Sequence, residues 1–295
     1  MRSGMVAVVG RPNVGKSSLV NALVGHKVSI VTPKPQTTRH RIQGVLHHPQ
    51  GQIVFVDTPG LHAKSASALN RAMNDTAAGS IPGVDLVLLV CEVGRWTDED
   101  AAALARVRLS KAPVGLVINK VDRVADKREL LPLIEEHGKR HDYAFMVPLS
   151  AQKALNLGSL TEEILLRLPE GPALYPADQI TGHDLKFAAA EIVREKLMRN
   201  LHQEVPYALA VETEKYEVQG EVTHIHCAIW VERDGQKPIV VGAGGQNLKT
   251  VGSAARRDLE KMLGGKVFLK LWVKVRENWT NDSVILKQFG YTPDS

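Results

Sequence analysis

Two glycines precede a lysine and a serine in the stretch GRPNVGKS, residues 10–17. The spacing fits G-x-x-x-x-G-K-[ST], and the stretch lies between the apolar run MVAVVG and the helix-like segment SLVNALVG. Gly10 and Gly15 allow backbone N–H groups to turn inward around an anion, where the helix N-terminus adds its positive dipole. Lys16 adds a point charge for phosphate oxygens, and the Ser17 hydroxyl can ligate Mg²⁺. The pattern predicts a cradle for the β- and γ-phosphates of a nucleotide.

A carboxylate ends the next apolar run, in the sequence DTPG. Asp57 has the position at which a carboxylate holds Mg²⁺ through water, and Gly60 can offer its backbone N–H to a γ-phosphate. The polar loop KPQTTRHR, residues 34–41, lies between the two motifs and carries adjacent threonines. We predict that one of these threonines completes the coordination shell of Mg²⁺, and we favour Thr38 over Thr37. The predicted Mg²⁺ ligands are Ser17, Thr38 and Asp57.

The stretch NKVD follows a later apolar run, and its side chains can discriminate guanine from adenine. Asp122 can accept both N1–H and the 2-amino N–H of guanine, a paired contact that adenine cannot make. Asn119 suits the O6/N7 edge, the Lys120 stem can cover the ring, and the backbone N–H of Ala151 in the pair SA can meet O6. Because such polar contacts strongly reject the wrong base, the motifs together predict GTP as the ligand.

The predicted nucleotide contacts come from all of these motifs. They are Gly10, Arg11, Pro12, Asn13, Val14, Gly15, Lys16, Ser17, Asp57, Thr58, Pro59, Gly60, Leu61, Asn119, Lys120, Val121, Asp122, Ser150 and Ala151.

Leu61 stands where Ras-type switches carry a glutamine that orients the attacking water. An aliphatic side chain can neither polarise nor hold a water molecule, so hydrolysis requires another group there.

Five apolar runs alternate with longer segments up to about residue 170: MVAVVG, QIVFVDTPG, DLVLLVCEV, PVGLVINKVD and YAFMVPLSA. This alternation indicates an α/β domain with a parallel sheet covered by helices on both faces. The motifs follow the strands, and ligands of such sheets bind at the carboxyl edge. We predict a nucleotide-binding (G) domain over 1–170, a proline- and glycine-rich linker over 171–184, and a second domain with a C-terminal extension over 185–295.

The second domain has a different pattern of apolar residues. Helices are predicted over 185–201 and 246–263, and strands over 207–218, 222–234 and 266–277. The last strand alternates strictly, which gives it a basic and aromatic outer face. This order of elements predicts a smaller α+β domain.

The set GRPNVGKS, QTTRH, DTPG, NKVD and SA resembles the translation-factor-related GTPases. The version QTTRHR, together with VVGAGGQNL and LWVKVRENW in the second half, is similar to the Era family over essentially the whole chain. The resemblance implies a P-loop GTPase domain with a mostly parallel sheet, followed by a smaller α+β type II KH domain. It also implies a GTP-hydrolysing switch that uses Mg²⁺, binds 16S ribosomal RNA and assists assembly of the small ribosomal subunit.

The resemblance also bears on the missing glutamine. Related GTPases carry a hydrophobic residue at the place of Leu61, and an asparagine at the place of Asn13 holds a potassium ion beside the phosphates. A cation there would act where charge builds up during phosphoryl transfer. Two interpretations stay open: Asn13 ligates potassium, or it only shapes the loop. The predicted catalytic residues are Asn13, Lys16, Thr38 and Gly60, with slow intrinsic turnover.

The sequence GAGG at residues 242–245 satisfies the GxxG spacing of a KH loop, which clamps about four nucleotides of single-stranded RNA. Residues 237–276 carry nine Lys and Arg against two acidic residues, whereas 185–234 carry six against nine. A basic half beside an acidic half is typical of a one-sided RNA surface. The predicted RNA contacts are Lys237, Gly242, Ala243, Gly244, Gly245, Lys249, Lys270, Trp272 and Lys274.

The composition limits which partners and cellular locations are expected for the protein. The chain is 44% hydrophobic and 23% charged, with a net charge of +5 that suits an anionic partner. Its longest apolar stretch, VDLVLLVCEV, is far shorter than the ~20 residues that span a bilayer, and MRSGMVAVVG has no signal-peptide pattern. We expect a monomer in the cytoplasm. The resemblance to the Era family also implies peripheral association with the inner face of the cell membrane. Two alternatives stay open: a role in tRNA modification, and an RNA-binding module that does not hydrolyse GTP.

Overall fold

The computed structural model describes residues 1–60, 67–94 and 96–291. The described residues of Met1–Val31, Thr38–Ala66 and Asn70–Gly182 form one compact unit. Those of Thr32–Thr37, Ser67–Leu69 and His183–Ser295 form a second unit. Among these residues, no helix combines the length and apolar character needed to cross a membrane.

The first unit is built on a sheet of six strands. They are β1 (Arg2–Val9), β2 (Ile42–His48), β3 (Gly51–Asp57), β4 (Leu86–Glu92), β5 (Val114–Asn119) and β6 (Phe145–Pro148). The strand order is β2-β3-β1-β4-β5-β6; only β2 runs antiparallel to its neighbour. The predicted mostly parallel sheet is confirmed. Strand β2 was not predicted, because it is an edge strand with a mixed polar and apolar sequence.

Helices cover both faces of this sheet. They are α1 (Lys16–Val24), α2 (Ala68–Gly79), α3 (Asp98–Val107), α4 (Leu130–Gly138) and α5 (Leu157–Leu165). Alternate residues of β1 point to opposite faces, so that Val6 and Val8 join a core with α1 and α5. Ala7 and Val9 join a second core with α2 and α3. Burial on both faces explains why the strands are continuous apolar runs.

Residues 171–182, which fall within the predicted linker, belong to the first unit. The side chain of Gln52 accepts hydrogen bonds from the backbone N–H groups of Leu174 and Tyr175, at 2.7 and 2.9 Å. Val45 donates its backbone N–H to the Ile180 carbonyl at 2.9 Å. These bonds hold the segment along β2 and β3, so that its backbone is ordered despite its prolines and glycines.

The second unit packs helices against a three-stranded sheet. Its elements are α6 (Leu185–Asn200), β7 (Leu209–Gln219), β8 (Val222–Val231), α7 (Gln236–Val241), α8 (Gln246–Leu263), β9 (Lys266–Val275) and α9 (Ser283–Gln288). Strand β8 lies in the middle, antiparallel to β7 and parallel to β9. Its alternate residues Ile225, Cys227 and Ile229 join a core with α6 and α8. The predicted α+β fold is confirmed, and the short helices α7 and α9 were not predicted.

Candidate functional site

The loop between β1 and α1 brings the predicted phosphate-binding residues together. Lys16 is only 6% exposed, and its Nζ donates to the carbonyls of Gly10 and Arg11 at 2.9 Å each. Burial lowers the pKa of Lys16 to about 8, partly opposed by the charge of Asp57. An anionic ligand in the loop would favour the charged ammonium. The loop therefore holds the Lys16 ammonium at the place where the sequence predicts phosphate oxygens.

Gly15 shows why this loop needs glycine. Its φ of 99° lies in the left-handed region, and a Cβ atom would stand 2.4 Å from Nδ2 of Asn119. Asn119 donates from Nδ2 to the Val14 carbonyl at 2.9 Å and accepts at Oδ1 from the backbone N–H of Ala151 at 3.1 Å. Asn119 therefore joins the GRPNVGKS, NKVD and SA motifs. The contacts of Asn119 and Ala151 with guanine stay predictions.

The predicted Mg²⁺ ligands lie together. The hydroxyl oxygens of Ser17 and Thr38 are 2.8 Å apart. Asp57 is fully buried, and neither of its carboxylate oxygens has a hydrogen bond within the described residues. Burial raises the pKa of the Asp57 carboxyl, while the nearby Ser17 hydroxyl and Lys16 charge lower it. Two hydroxyls beside a buried, unpaired carboxylate fit a hard divalent cation.

The two candidate threonines differ in their partners. Thr37 donates its hydroxyl to the Lys34 carbonyl at 2.7 Å and lies 2.6 Å from the Thr32 hydroxyl. Thr37 is therefore bonded within its own segment, whereas Thr38 lies beside Ser17. This geometry favours Thr38, as the sequence did.

The residues after β3 contact the same loop. Thr58 is buried and donates its hydroxyl to the Val8 carbonyl at 2.9 Å. Gly60 lies directly against Pro12. Leu61, which stands at the position of the missing glutamine, lies outside the described residues.

Glu92, at the end of β4, was not predicted as a site residue. Its carboxylate accepts from Lys120 Nζ at 2.8 Å and from Arg123 at 2.5 Å, and it lies 3.6 Å from Arg11. Burial would raise the pKa of the Glu92 carboxyl, but Lys120, Arg123 and Arg11 hold it below its ordinary value. Lys120 also donates to the Asn13 carbonyl at 2.7 Å. Glu92 therefore fixes the residue expected to cover the guanine ring.

Arg11 has a second acidic partner, Asp100 of α3. Its Nε donates to both carboxylate oxygens of Asp100 at 3.1 Å. Asp100 also forms a capping box with Thr97 at the N-terminus of α3. The acidic end of β4 and the acidic first turn of α3 were the available signals in the sequence. Nothing in the sequence showed that both would reach Arg11.

The second unit carries the GxxG loop at the start of α8. Gly242, Gly244 and Gly245 have φ values of 76°, 57° and 77°. At Gly242 a Cβ atom would stand 2.6 Å from Cβ of Asn247, so this position excludes any side chain. The loop therefore depends on glycine both for its backbone conformation and for close packing.

A groove of about 340 Å³ extends from this loop between α8 and β9. It is lined by Gly245, Leu248, Lys249, Gly252, Ser253, Arg256, Leu269 and Leu271. Its apolar floor and basic rim suit the bases and phosphates of a single strand. Of the predicted RNA contacts, only Gly245 and Lys249 line the groove. Arg256 lines it too and was not predicted as a site residue.

Gly242, Ala243 and Gly244 lie in the GxxG loop at the end of the groove, and the other predicted RNA contacts lie elsewhere. Lys237 is exposed on α7. Lys270, Trp272 and Lys274 alternate with the inward residues of β9, which places them on the opposite face of the sheet from the groove. The structure therefore places the predicted RNA contacts on separate surfaces of the second unit.

Comparisons with known proteins agree with both halves of this description. Residues 5–120 match a family described as 50S ribosome-binding GTPase, and residues 204–280 match the KH domain family. GTPase Era of Stenotrophomonas maltophilia is 51% identical over 288 residues, covering 98% of this chain and 97% of its own length. GTPase Era of Xanthomonas oryzae pv. oryzae is 51% identical over 290 residues, with the same coverage.

Two solved structures are similar over nearly the whole chain. An Era variant of Aquifex aeolicus bound to GDP·AlF4− has 40% identity and a TM-score of 0.95, with 99% of this chain and 100% of that chain covered. Era in complex with MgGDPNP and nucleotides 1506–1542 of 16S ribosomal RNA has 40% identity, a TM-score of 0.96 and the same coverage. The chain belongs to the Era family of GTPases, and it is a GTP-hydrolysing enzyme with a C-terminal KH domain.

Proposed function

We propose that this chain binds 16S ribosomal RNA in the groove between α8 and β9 and acts as a GTP-dependent switch in small-subunit assembly. The observation that carries the proposal is the groove itself, which combines a GxxG loop, an apolar floor and a basic rim. A relative with 40% identity is known in complex with nucleotides 1506–1542 of 16S ribosomal RNA. The switch and the RNA site thus occur in one chain.

The phosphate site supports GTP hydrolysis with Mg²⁺. Ser17, Thr38 and Asp57 would hold the ion, which when bound neutralises charge on the β- and γ-phosphate oxygens. Lys16 adds a fixed positive charge, and Gly60 lies against the loop where its N–H can orient the γ-phosphate. Asp122 is exposed and available to guanine.

We infer that a monovalent cation at Asn13 takes over part of the task of the missing glutamine, by stabilising the charge that develops during phosphoryl transfer. Asn13 is exposed, has a φ of 63°, and its carbonyl is fixed by Lys120 at 2.7 Å. Its amide oxygen is therefore available to a potassium ion beside the phosphates. The alternative is that Asn13 only shapes the loop. The rate of GTP hydrolysis in potassium compared with sodium distinguishes potassium ligation from this structural function.

We further place the protein in the cytoplasm as a monomer. Peripheral association with the inner face of the membrane rests on the family resemblance alone. Cell fractionation at low and high salt tests this assignment, because an electrostatically bound peripheral protein is released by salt.

The groove is tested by two neighbouring arginines of α8, both exposed. Arg256 lines the groove and Arg257 does not. Arg256→Glu should lower affinity for a single-stranded 16S 3′-end RNA by about tenfold or more, and reduce the slope of affinity against salt by about one. Arg257→Glu should have little effect on either quantity. Equal affinities in the two variants would contradict the groove assignment.

A further inference from the structure

The face of the KH sheet opposite its core carries a cluster of rings. His224 and His226 of β8 and Phe268 and Trp272 of β9 form this outer-face cluster. The ring centroids of His224 and Phe268 are 5.1 Å apart, and those of His226 and Trp272 are 5.9 Å apart. Phe268 is 49% exposed. Exposed rings that are grouped on one face, rather than scattered singly, make this face a candidate binding surface.

Lysines lie among these rings. Nζ of Lys270 is 5.8 Å from the ring centroid of Trp272, and Nζ of Lys274 is 6.0 Å from the same centroid. Lys274 is paired with Glu214 of β7 at 2.5 Å, and Lys270 lies outside this ion pair. Within the described residues, Lys270 of β9 therefore contributes a positive charge that no ion pair offsets.

The position of β9 connects this face with the groove. Strand β9 is an edge strand of the three-stranded sheet. Its inward residues Leu269 and Leu271 line the groove, and the residues between and beside them, Phe268, Lys270 and Trp272, point to the outer face. A strand of RNA that leaves the groove across the edge of β9 would therefore reach the outer-face cluster directly.

We propose that the outer-face cluster stacks unpaired bases of the same RNA strand that the groove holds. The inference rests on the proposed RNA-binding function and adds a second surface to it. Exposed rings beside lysines are the groups that bind single strands with little sequence preference, because every base has a face to stack. Lysine is depleted from the buried centres of protein–protein interfaces, which disfavours a protein as the occupant. The two surfaces together would bind a longer strand than a KH loop alone.

The test compares two single-stranded RNAs of 16S 3′-end sequence. One has about four nucleotides, the length that a KH loop holds, and the other about twelve, within the range of stacking surfaces. The variants are Trp272→Ala, Phe268→Ala and the conservative Trp272→Phe. Val284→Ala is the control, because Val284 is 73% exposed on α9 outside the cluster.

We expect the wild-type chain to bind the longer RNA more tightly. Trp272→Ala and Phe268→Ala should each weaken the longer RNA by about tenfold, since stacking on an aromatic side chain contributes that much or more per base. Affinity for the short RNA should not change, Trp272→Phe should retain most of the affinity, and Val284→Ala should match the wild type.

Undiminished affinity of both alanine variants for the longer RNA would overturn this inference and leave the face to a protein partner. The groove is judged separately, by the effect of Arg256→Glu on the short RNA. If that variant binds the short RNA like the wild type, the proposed groove fails. If it weakens the short RNA while the ring variants have no effect on the longer one, only the second surface is excluded.

Discussion

Asp122 is exposed beside the buried Val121, so its carboxylate is available to a ligand. Asp122→Asn replaces two acceptors by one acceptor and one donor. GTP affinity should fall by about a hundredfold, because charge-assisted hydrogen bonds contribute about 1.5–3 kcal/mol each. Xanthosine triphosphate, which presents an oxygen at the changed position, should bind better than GTP. Nucleotide titration measures both.

Asp126 supplies the matched control for this change. It is a nearby acid of the same loop, paired with Arg128 at 2.6 Å. Asp126→Asn should leave the preference for GTP unchanged. A wild-type GTP affinity in Asp122→Asn would show that guanine is recognised by other groups.

Asn13 permits a second test at the scale of one residue. GTP hydrolysis should be at least about tenfold faster in potassium than in sodium at equal ionic strength, since a charge placed at the transition state acts on kcat. Asn13→Ala should remove this difference and leave GDP affinity nearly unchanged. Steady-state hydrolysis in the two salts is the measurement.

A variant of Leu61 tests the explanation that competes with the cation hypothesis. Leu61→Ala should change the chemical step little, because an aliphatic side chain stabilises no charge. Identical rates in potassium and sodium, with Leu61→Ala as the severe variant, would show that Leu61 positions the water by packing. Asn13 would then be a structural residue of the loop.

At the scale of elements, the end of β4 joins the phosphate loop to the base-recognition loop. Glu92→Gln keeps the shape of the side chain and removes the charge that Lys120, Arg123 and Arg11 share. We expect the free energy of unfolding to fall by on the order of 2 kcal/mol, and GTP affinity to fall because Lys120 loses its anchor. Denaturant titration and nucleotide titration measure the two effects.

The pH dependence of this effect has a definite sign. Because the folded-state pKa of Glu92 is lowered, its stabilisation is present above the ordinary carboxyl pKa and is lost as pH falls through the lowered value. The wild type and Glu92→Gln should therefore converge in stability at acid pH. Glu163→Gln is the control: the Glu163 side chain is 37% exposed, against 20% for Glu92, and pairs closer to the surface contribute about 0–1 kcal/mol. Equal losses in the two variants would contradict the anchoring function.

At the scale of the whole molecule, the nucleotide site and the GxxG loop belong to different compact units. Gly242→Asp combined with Gly245→Asp adds negative charge where phosphates approach, and the first change also collides with Asn247. Single-strand RNA binding should fall below detection at both salt concentrations, while GTP affinity should be that of the wild type. RNA titration at two salt concentrations and GTP titration check both.

Gly235 supplies the control for this pair. It is exposed at the start of α7, with a φ of −62° and open space at its Cβ position. Gly235→Asp should retain RNA binding. Normal RNA affinity and salt slope in the double variant would move the main RNA surface away from the GxxG loop.

Much of the architecture followed from local patterns. Strands β1, β3, β4 and β5 were predicted because burial on both faces makes their sequences continuously apolar. Helix α8 was predicted over its observed range, 246–263, because glycines precede it and its apolar residues recur with helical spacing. Strand β2 and helices α7 and α9 were missed, because short or partly exposed elements carry little periodicity.

The sequence by itself determined the motifs, their order along the chain and the parallel sheet that places them at one edge. These depend on residue types and on spacing over a few positions. Only the tertiary structure decided that Thr38 meets Ser17, that Glu92 pairs with Lys120, Arg123 and Arg11, and that the inward residues of β9 line a groove with α8. Those arrangements join residues far apart in the chain. Their distances are set by how strands and helices pack together, which no local pattern records.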